Sequence, residues 1–121
     1  MKAFYAIFWK PGPAWLPGKS IFEQPLDDHL SYLKGVFDRG ELLAAGPIED
    51  QDIGLTVVQV ESRAAAEQLA QADPAVRNGI VVGEIARWCP IAWDTVGRGR
   101  ILYETAPLRT QRSNPPAPRN A

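Results

Sequence analysis

Residues 26–47, LDDHLSYLKGVFDRGELLAAGP, constrain the fold more than any other stretch of the chain. Leu26, Leu30, Leu33 and Phe37 recur at i, i+4, i+7 and i+11, which is one narrow stripe of an α-helix. Gly40 is a natural stop, because glycine enters the left-handed conformation past a helix end at little cost. Residues 41–45 then read as a short strand that stops at Gly46-Pro47. The only histidine, His29, lies near the start of this helix, just off the edge of the apolar stripe. Any acid–base chemistry that uses an imidazole must use this one.

The flanking segments supply the sheet that such a helix needs. Residues 3–9 form a continuous aromatic-rich apolar run of strand length. Residues 10–25 follow as a loop with four prolines and two glycines around Trp15, Ile21 and Phe22. A loop that long in a small domain tends to be functional or disordered, and its apolar residues suggest that it folds back. Residues 55–61 (LTVVQVE) are a β-branched strand, and Ser62 caps a second helix over 63–72 whose Ala65, Ala66, Leu69 and Ala72 can face the sheet. Asp73-Pro74 opens one further helical turn over 74–78, closed by Gly79, and residues 80–91 make the last strand.

The order is β-α-β-β-α-β: an α+β, ferredoxin-like fold with a four-stranded antiparallel sheet and two helices on one face. Apolar residues nonetheless occupy both faces of that sheet, through Phe4, Tyr5, Ile7, Phe8, Val57, Val58, Val60, Val82, Ile85 and Trp88. The uncovered face calls for a partner, and a second copy across a two-fold axis is the simplest one. A homodimer with sheet packed on sheet is expected.

The length of 121 residues and 45% apolar content suit one domain with a real core. The overall charge of -1 conceals a gradient: eight Lys/Arg against thirteen Asp/Glu over residues 1–97, then five Arg against Glu104 over 98–121. The boundaries expected are a domain over 1–96 and a basic, Pro/Arg-rich, largely disordered tail over 97–121, where only Ile101, Leu102 and Tyr103 offer anything to pack. Such a charge balance favours neither nucleic acid nor an anionic membrane as partner. No apolar run approaches the roughly 20 residues of a membrane span. A single cysteine, Cys89, excludes an intramolecular disulfide and fits a reducing, cytoplasmic setting. Cys89 reads as a small buried hydrophobe of the last strand.

Local sequence leaves the two candidate catalytic residues open. His29 near a helix N-terminus is either a base or a half-buried filler. Asp73 is either the cap of the next turn or a carboxylate that fixes an imidazole tautomer, or both. One His and one Cys are too few for zinc, and neither haem nor another cofactor is expected. Trp9, Trp15, Trp88 and Trp93 suit an aromatic pocket as well as they suit a core or a dimer contact.

These motifs, in this order, resemble the YCII-related family: His29 followed by Leu30 and Leu33, the run from Gly40 to Pro47, Glu61-Ser62, and Asp73-Pro74 through Gly79. The resemblance covers about residues 1–92. It implies a dimeric α+β barrel with a His–Asp pair in a pocket, so His29 and Asp73 inherit the proposed catalytic roles, with Trp15, Gly46 and Pro47 as candidate substrate-binding positions. Relatives of the resembled family include a dehydrochlorinase of a chlorinated hydroxyquinol, and the fold resembles muconolactone isomerase. Ala75 departs from a position that is often aromatic in the family, and the Trp15 loop and the tail are longer than its minimal pattern. The activity this implies is lyase- or isomerase-type proton transfer on a small molecule of the aromatic-derived kind. The alternative is a non-catalytic dimeric module that binds a small ligand or a protein.

Overall fold

The computed structural model describes residues 2–105. Strand β1 (Ala3–Pro11) leads through the Pro-rich loop, with a 3-10 turn at Ile21–Glu23, into helix α1 (Asp27–Asp38). Strands β2 (Leu42–Ile48) and β3 (Ile53–Val60) follow, then helices α2 (Arg63–Gln71) and α3 (Pro74–Arg77), and strand β4 (Val81–Trp88). The sheet order is β2-β3-β1-β4 and every pairing is antiparallel. This is the ferredoxin-like βαββαβ arrangement.

Alternation along the strands sorts the two faces. Tyr5, Ile7 and Trp9 of β1 stand beside Val58, Thr56 and Gly54 of β3 and beside Arg87, Ile85 and Gly83 of β4. Their face carries the core, in which Ile7, Val36, Val58 and Ala66 are wholly enclosed. Full burial of an isoleucine or valine side chain stabilises the fold by about 1.5–3 kcal/mol. Phe4, Ala6 and Phe8 turn to the other face, with Gln59, Val57 and Leu55 opposite them on β3. Among the described residues no helix covers that face: Val82 and Trp88 of β4 are both 42% exposed. Phe4 is sheltered there in part by the edge of the Trp88 ring, 6.2 Å away between centroids.

The helix boundaries follow from capping chemistry. The Ser62 side chain accepts from the amide of Ala65 to start α2. Pro74 cannot continue that helix, and it holds the preceding Asp73 in an extended conformation at φ -66°, ψ 128°. Gly40 adopts φ 80° at the end of α1, as the sequence requires.

Several details differ from the sequence reading. Strand β2 runs on through Gly46 and Pro47, which pair with Leu55 and Gly54. Strand β2 is an edge strand, so proline's missing N–H costs no ladder bond on its open side. Cys89 lies past the end of β4 and is exposed, not buried. Ala72 is exposed, and Ala70 takes the place expected for it in the core. Beyond β4 the chain doubles back, with an isolated bridge between Ile91 and Tyr103 and bonds from the Ala92 amide to Leu102 and from the Glu104 amide to Pro90. The rest of the expected disordered tail, residues 106–121, lies outside the described residues. Among the described residues no helix is long and apolar enough to cross a membrane.

Candidate functional site

The stripe that defines α1 in the sequence does not all enter the core. Leu33 is buried, but Leu30 is 62% exposed, and the buried positions of the helix are His29, Leu33 and Val36. The helix is rotated so that Leu26, Leu30, Leu33 and Phe37 line a cavity of about 630 Å³ between α1, the loop and the β2–β3 side of the sheet. Trp9, Phe22, Leu42 and Thr56 complete most of its wall, together with Gly46 and Pro47. An apolar pocket with a few convergent polar groups is the usual form of a small-molecule site.

His29 sits in the first turn of α1, 7% exposed. Its Nδ1 lies 2.5 Å from Oδ2 of Asp73, a fully buried carboxylate. The other oxygen, Oδ1, accepts the Ala75 amide at 2.8 Å as the cap of α3. One carboxylate therefore performs both duties that the sequence left open. It starts α3 and it binds the imidazole brought by α1.

This arrangement fixes the tautomer. A carboxylate accepts, so in the neutral ring Nδ1 carries the hydrogen and Nε2 carries the lone pair. Nε2 has no hydrogen-bond partner among the described residues. No enclosed side-chain nitrogen or oxygen among them lacks a partner either. Nε2 must therefore keep open surface, and the cavity lined by His29 provides it.

Trp9 holds the ring from the sheet side, edge-on to His29 with centroids 5.0 Å apart and planes at 82°. Its own place is reserved by glycines on both neighbouring strands. A Cβ at Gly54 would stand 3.0 Å from Trp9 Cδ1, and one at Gly83 would stand 3.0 Å from Cζ3. The indole N–H donates to Thr56 Oγ1 at 2.8 Å. Behind the dyad, the Tyr32 hydroxyl donates to the Leu69 carbonyl at 2.7 Å and ties α1 to α2. Burial pushes the Tyr32 phenol above its ordinary range; the Asp73 charge adds to this, Arg39 opposes it and Glu41 adds again.

The loop is anchored rather than loose. The buried Gln24 accepts the Leu16 amide at 2.8 Å and donates to the carbonyls of Leu16 and Lys19, both at 3.1 Å. Asp52, in the β2–β3 turn at φ 53°, accepts the Ile21 amide. These bonds set Ile21 and Phe22 against the cavity.

Of the residues singled out from sequence, the structure joins His29 to Asp73 and puts Gly46 and Pro47 on the same cavity as His29. Trp15 is not among the lining residues; it packs half-buried against the core. Of the four tryptophans only Trp9 lines the cavity. Thr56 and Gln24 were not foreseen. The signal for Thr56 was present in its polar side chain on the face of β3 that otherwise carries Gly54, Val58 and Val60. Among the described residues no three His, Cys, Asp or Glu side chains converge as metal ligands.

Fold and site together define an α+β domain with a buried histidine–aspartate pair opening onto an apolar cavity. The chain belongs to the family of the YCII-related domain, whose match spans residues 3–89. No curated protein and no solved structure matches it.

Proposed function

We propose that the protein is a small cytoplasmic enzyme of lyase or isomerase type, with His29 as its proton acceptor and donor. The observation that carries this reading is the division of the imidazole. Nδ1 is bound to a buried carboxylate, and Nε2 opens onto an apolar cavity. As Nε2 takes a proton from a substrate carbon, the C–H electron pair moves into the substrate and the ring becomes imidazolium. Asp73 stabilises that cation and holds the ring in place. Return of the proton to another carbon completes an isomerisation; departure of a leaving group with the electron pair completes an elimination.

The wall favours a small, largely apolar substrate, and its aromatic residues Trp9, Phe22 and Phe37 suit a ring. Gly46 and Pro47 serve as part of the binding wall. The working unit in this proposal is a homodimer, with the apolar face around Phe8, Leu55, Val57 and Val82 packed on its equivalent.

Deuterium incorporation tests the proposal. Hydroxylated aromatic and cyclic carbonyl compounds are incubated with the protein in D2O and followed by NMR. Exchange at a carbon-bound position by wild type, lost in His29→Ala, is the expected result. Exchange retained by His29→Ala contradicts the assignment. Binding without exchange across the series favours a ligand-binding module instead.

A further inference from the structure

Three buried polar side chains line the cavity: Gln24, His29 and Thr56. Gln24 is engaged at both ends of its amide by the loop. Lys34, at the rim, is held by Asp38 at 2.8 Å, and Asp27 is exposed. Among the buried side chains of the wall, two groups remain with hydrogen-bonding capacity. One is the Nε2 lone pair of His29. The other is the hydroxyl hydrogen of Thr56.

The state of Thr56 follows from Trp9. An indole N–H can only donate, so Thr56 Oγ1 accepts it. The hydroxyl's own hydrogen then points elsewhere, and it meets no acceptor among the described residues. Thr56 is 1% exposed, so bulk water does not compete freely for that hydrogen. A donor polarised by an accepted bond, in a largely apolar wall, is suited to an electron-rich oxygen. Trp9 also touches the His29 ring, so one side chain positions both the base and the donor.

We infer that Thr56, oriented by Trp9, is the oxygen-binding residue of this cavity, and that the ligand class is a small apolar molecule bearing a carbonyl oxygen. The inference rests on the proposed proton-transfer reading and extends it. A carbonyl held by Thr56 acidifies the adjacent C–H. When His29 takes that proton, the C–H pair becomes the enolate C=C bond and the negative charge moves to the oxygen at Thr56. The imidazolium later returns the proton, so no oxidant or reductant is needed.

Acetophenone and α-methylstyrene test this, because they differ only in an oxygen in place of a CH2 group. Their dissociation constants are measured by NMR titration on wild type, Thr56→Val and Thr56→Ser. One lost neutral hydrogen bond amounts to about tenfold in affinity. The ratio of acetophenone to α-methylstyrene affinity should therefore fall by that factor in Thr56→Val. It should stay within twofold of wild type in Thr56→Ser, which keeps the hydroxyl. Continued α-methylstyrene binding by Thr56→Val shows that its cavity is intact. Should that variant not fold, Trp9→Phe replaces it, since losing the indole donor frees the hydroxyl to turn away and should lower the same ratio. An unchanged ratio, or no binding of either probe to wild type, overturns the inference. Because the ratio reads binding and needs no proton transfer, its failure is distinct from a failure of deuterium exchange.

Discussion

Asp73 and His29 are 44 positions apart in sequence and 2.5 Å apart in the fold, joined while Asp73 also caps α3. The two acceptor bonds use different oxygens of one carboxylate. Asparagine has one acceptor oxygen and a donor NH2, so an Asp73→Asn side chain that keeps the cap can meet Nδ1 only as a donor, which gives up the Nδ1–H tautomer. Alanine keeps neither. Asp73→Ala should lose about 1 kcal/mol for the cap and a further ~1–3 kcal/mol for the stranded Nδ1–H. Asp73→Asn should fall between wild type and alanine. Urea denaturation of the three proteins checks the order, and equal stability of Asn and Ala variants would remove the double role.

Trp9 fills the space left by glycines on both sides of it. Gly83→Ala places a methyl group 3.0 Å from the indole and 3.2 Å from Ala70 Cβ, so the ring has to move. Overpacking of this kind costs typically about 1–3 kcal/mol. Because Trp9 also contacts His29, the variant should weaken any cavity ligand more than a control such as Gly35→Ala, where a Cβ meets nothing within 4 Å. Thermal unfolding combined with ligand titration separates the two effects.

Tyr32 gives the fold a dependence on alkaline pH. Its phenol is raised above the ordinary value of 10.0, chiefly by burial. As pH rises through the unfolded value, the unfolded chain loses this proton first, so the folded state binds more protons and stability falls. The contribution is complete below the unfolded value and is lost as pH passes the folded one. Tyr32→Phe should flatten that alkaline limb while sacrificing the bond to Leu69. Denaturation midpoints between pH 8 and 11 would show a parallel decline in both proteins if Tyr32 has no part in it.

The open face of the sheet bears on assembly. Val57 stands at its centre, opposite Ala6 of β1, and Val82 lies exposed on β4. A glutamate at Val57 meets solvent in a lone chain but would be buried without a partner in a sheet-on-sheet dimer, which is strongly unfavourable. Sedimentation should show wild type as a dimer and Val57→Glu as a folded monomer. A wild-type monomer would remove the dimer from the account.

The topology was legible because strand and helix periods, the Gly40 stop and the Asp73-Pro74 start are all local signals. The pairing of His29 with Asp73 was legible only through resemblance, since nothing local brings α1 against α3. The apolar stripe of α1 was found correctly and its purpose was not. Periodicity reports which side chains share a face, but a cavity wall and a core produce the same pattern. Thr56 and Gln24 escaped notice because their importance lies in which hydrogen bonds they make, and those depend on partners 47 and 8 positions away. Trp15 drew attention as an aromatic in a long loop, whereas the fold uses it as packing.

The tautomer of His29 tests the central claim most directly. The protein has one histidine, so its 15N-labelled ring gives a single set of signals, and long-range 1H–15N correlations distinguish Nδ1–H from Nε2–H in the neutral ring. Wild type should show the Nδ1–H form, with a slowly exchanging proton, and Asp73→Asn should lose that preference. An Nε2–H tautomer in wild type, or one unaffected by Asp73, would contradict that claim.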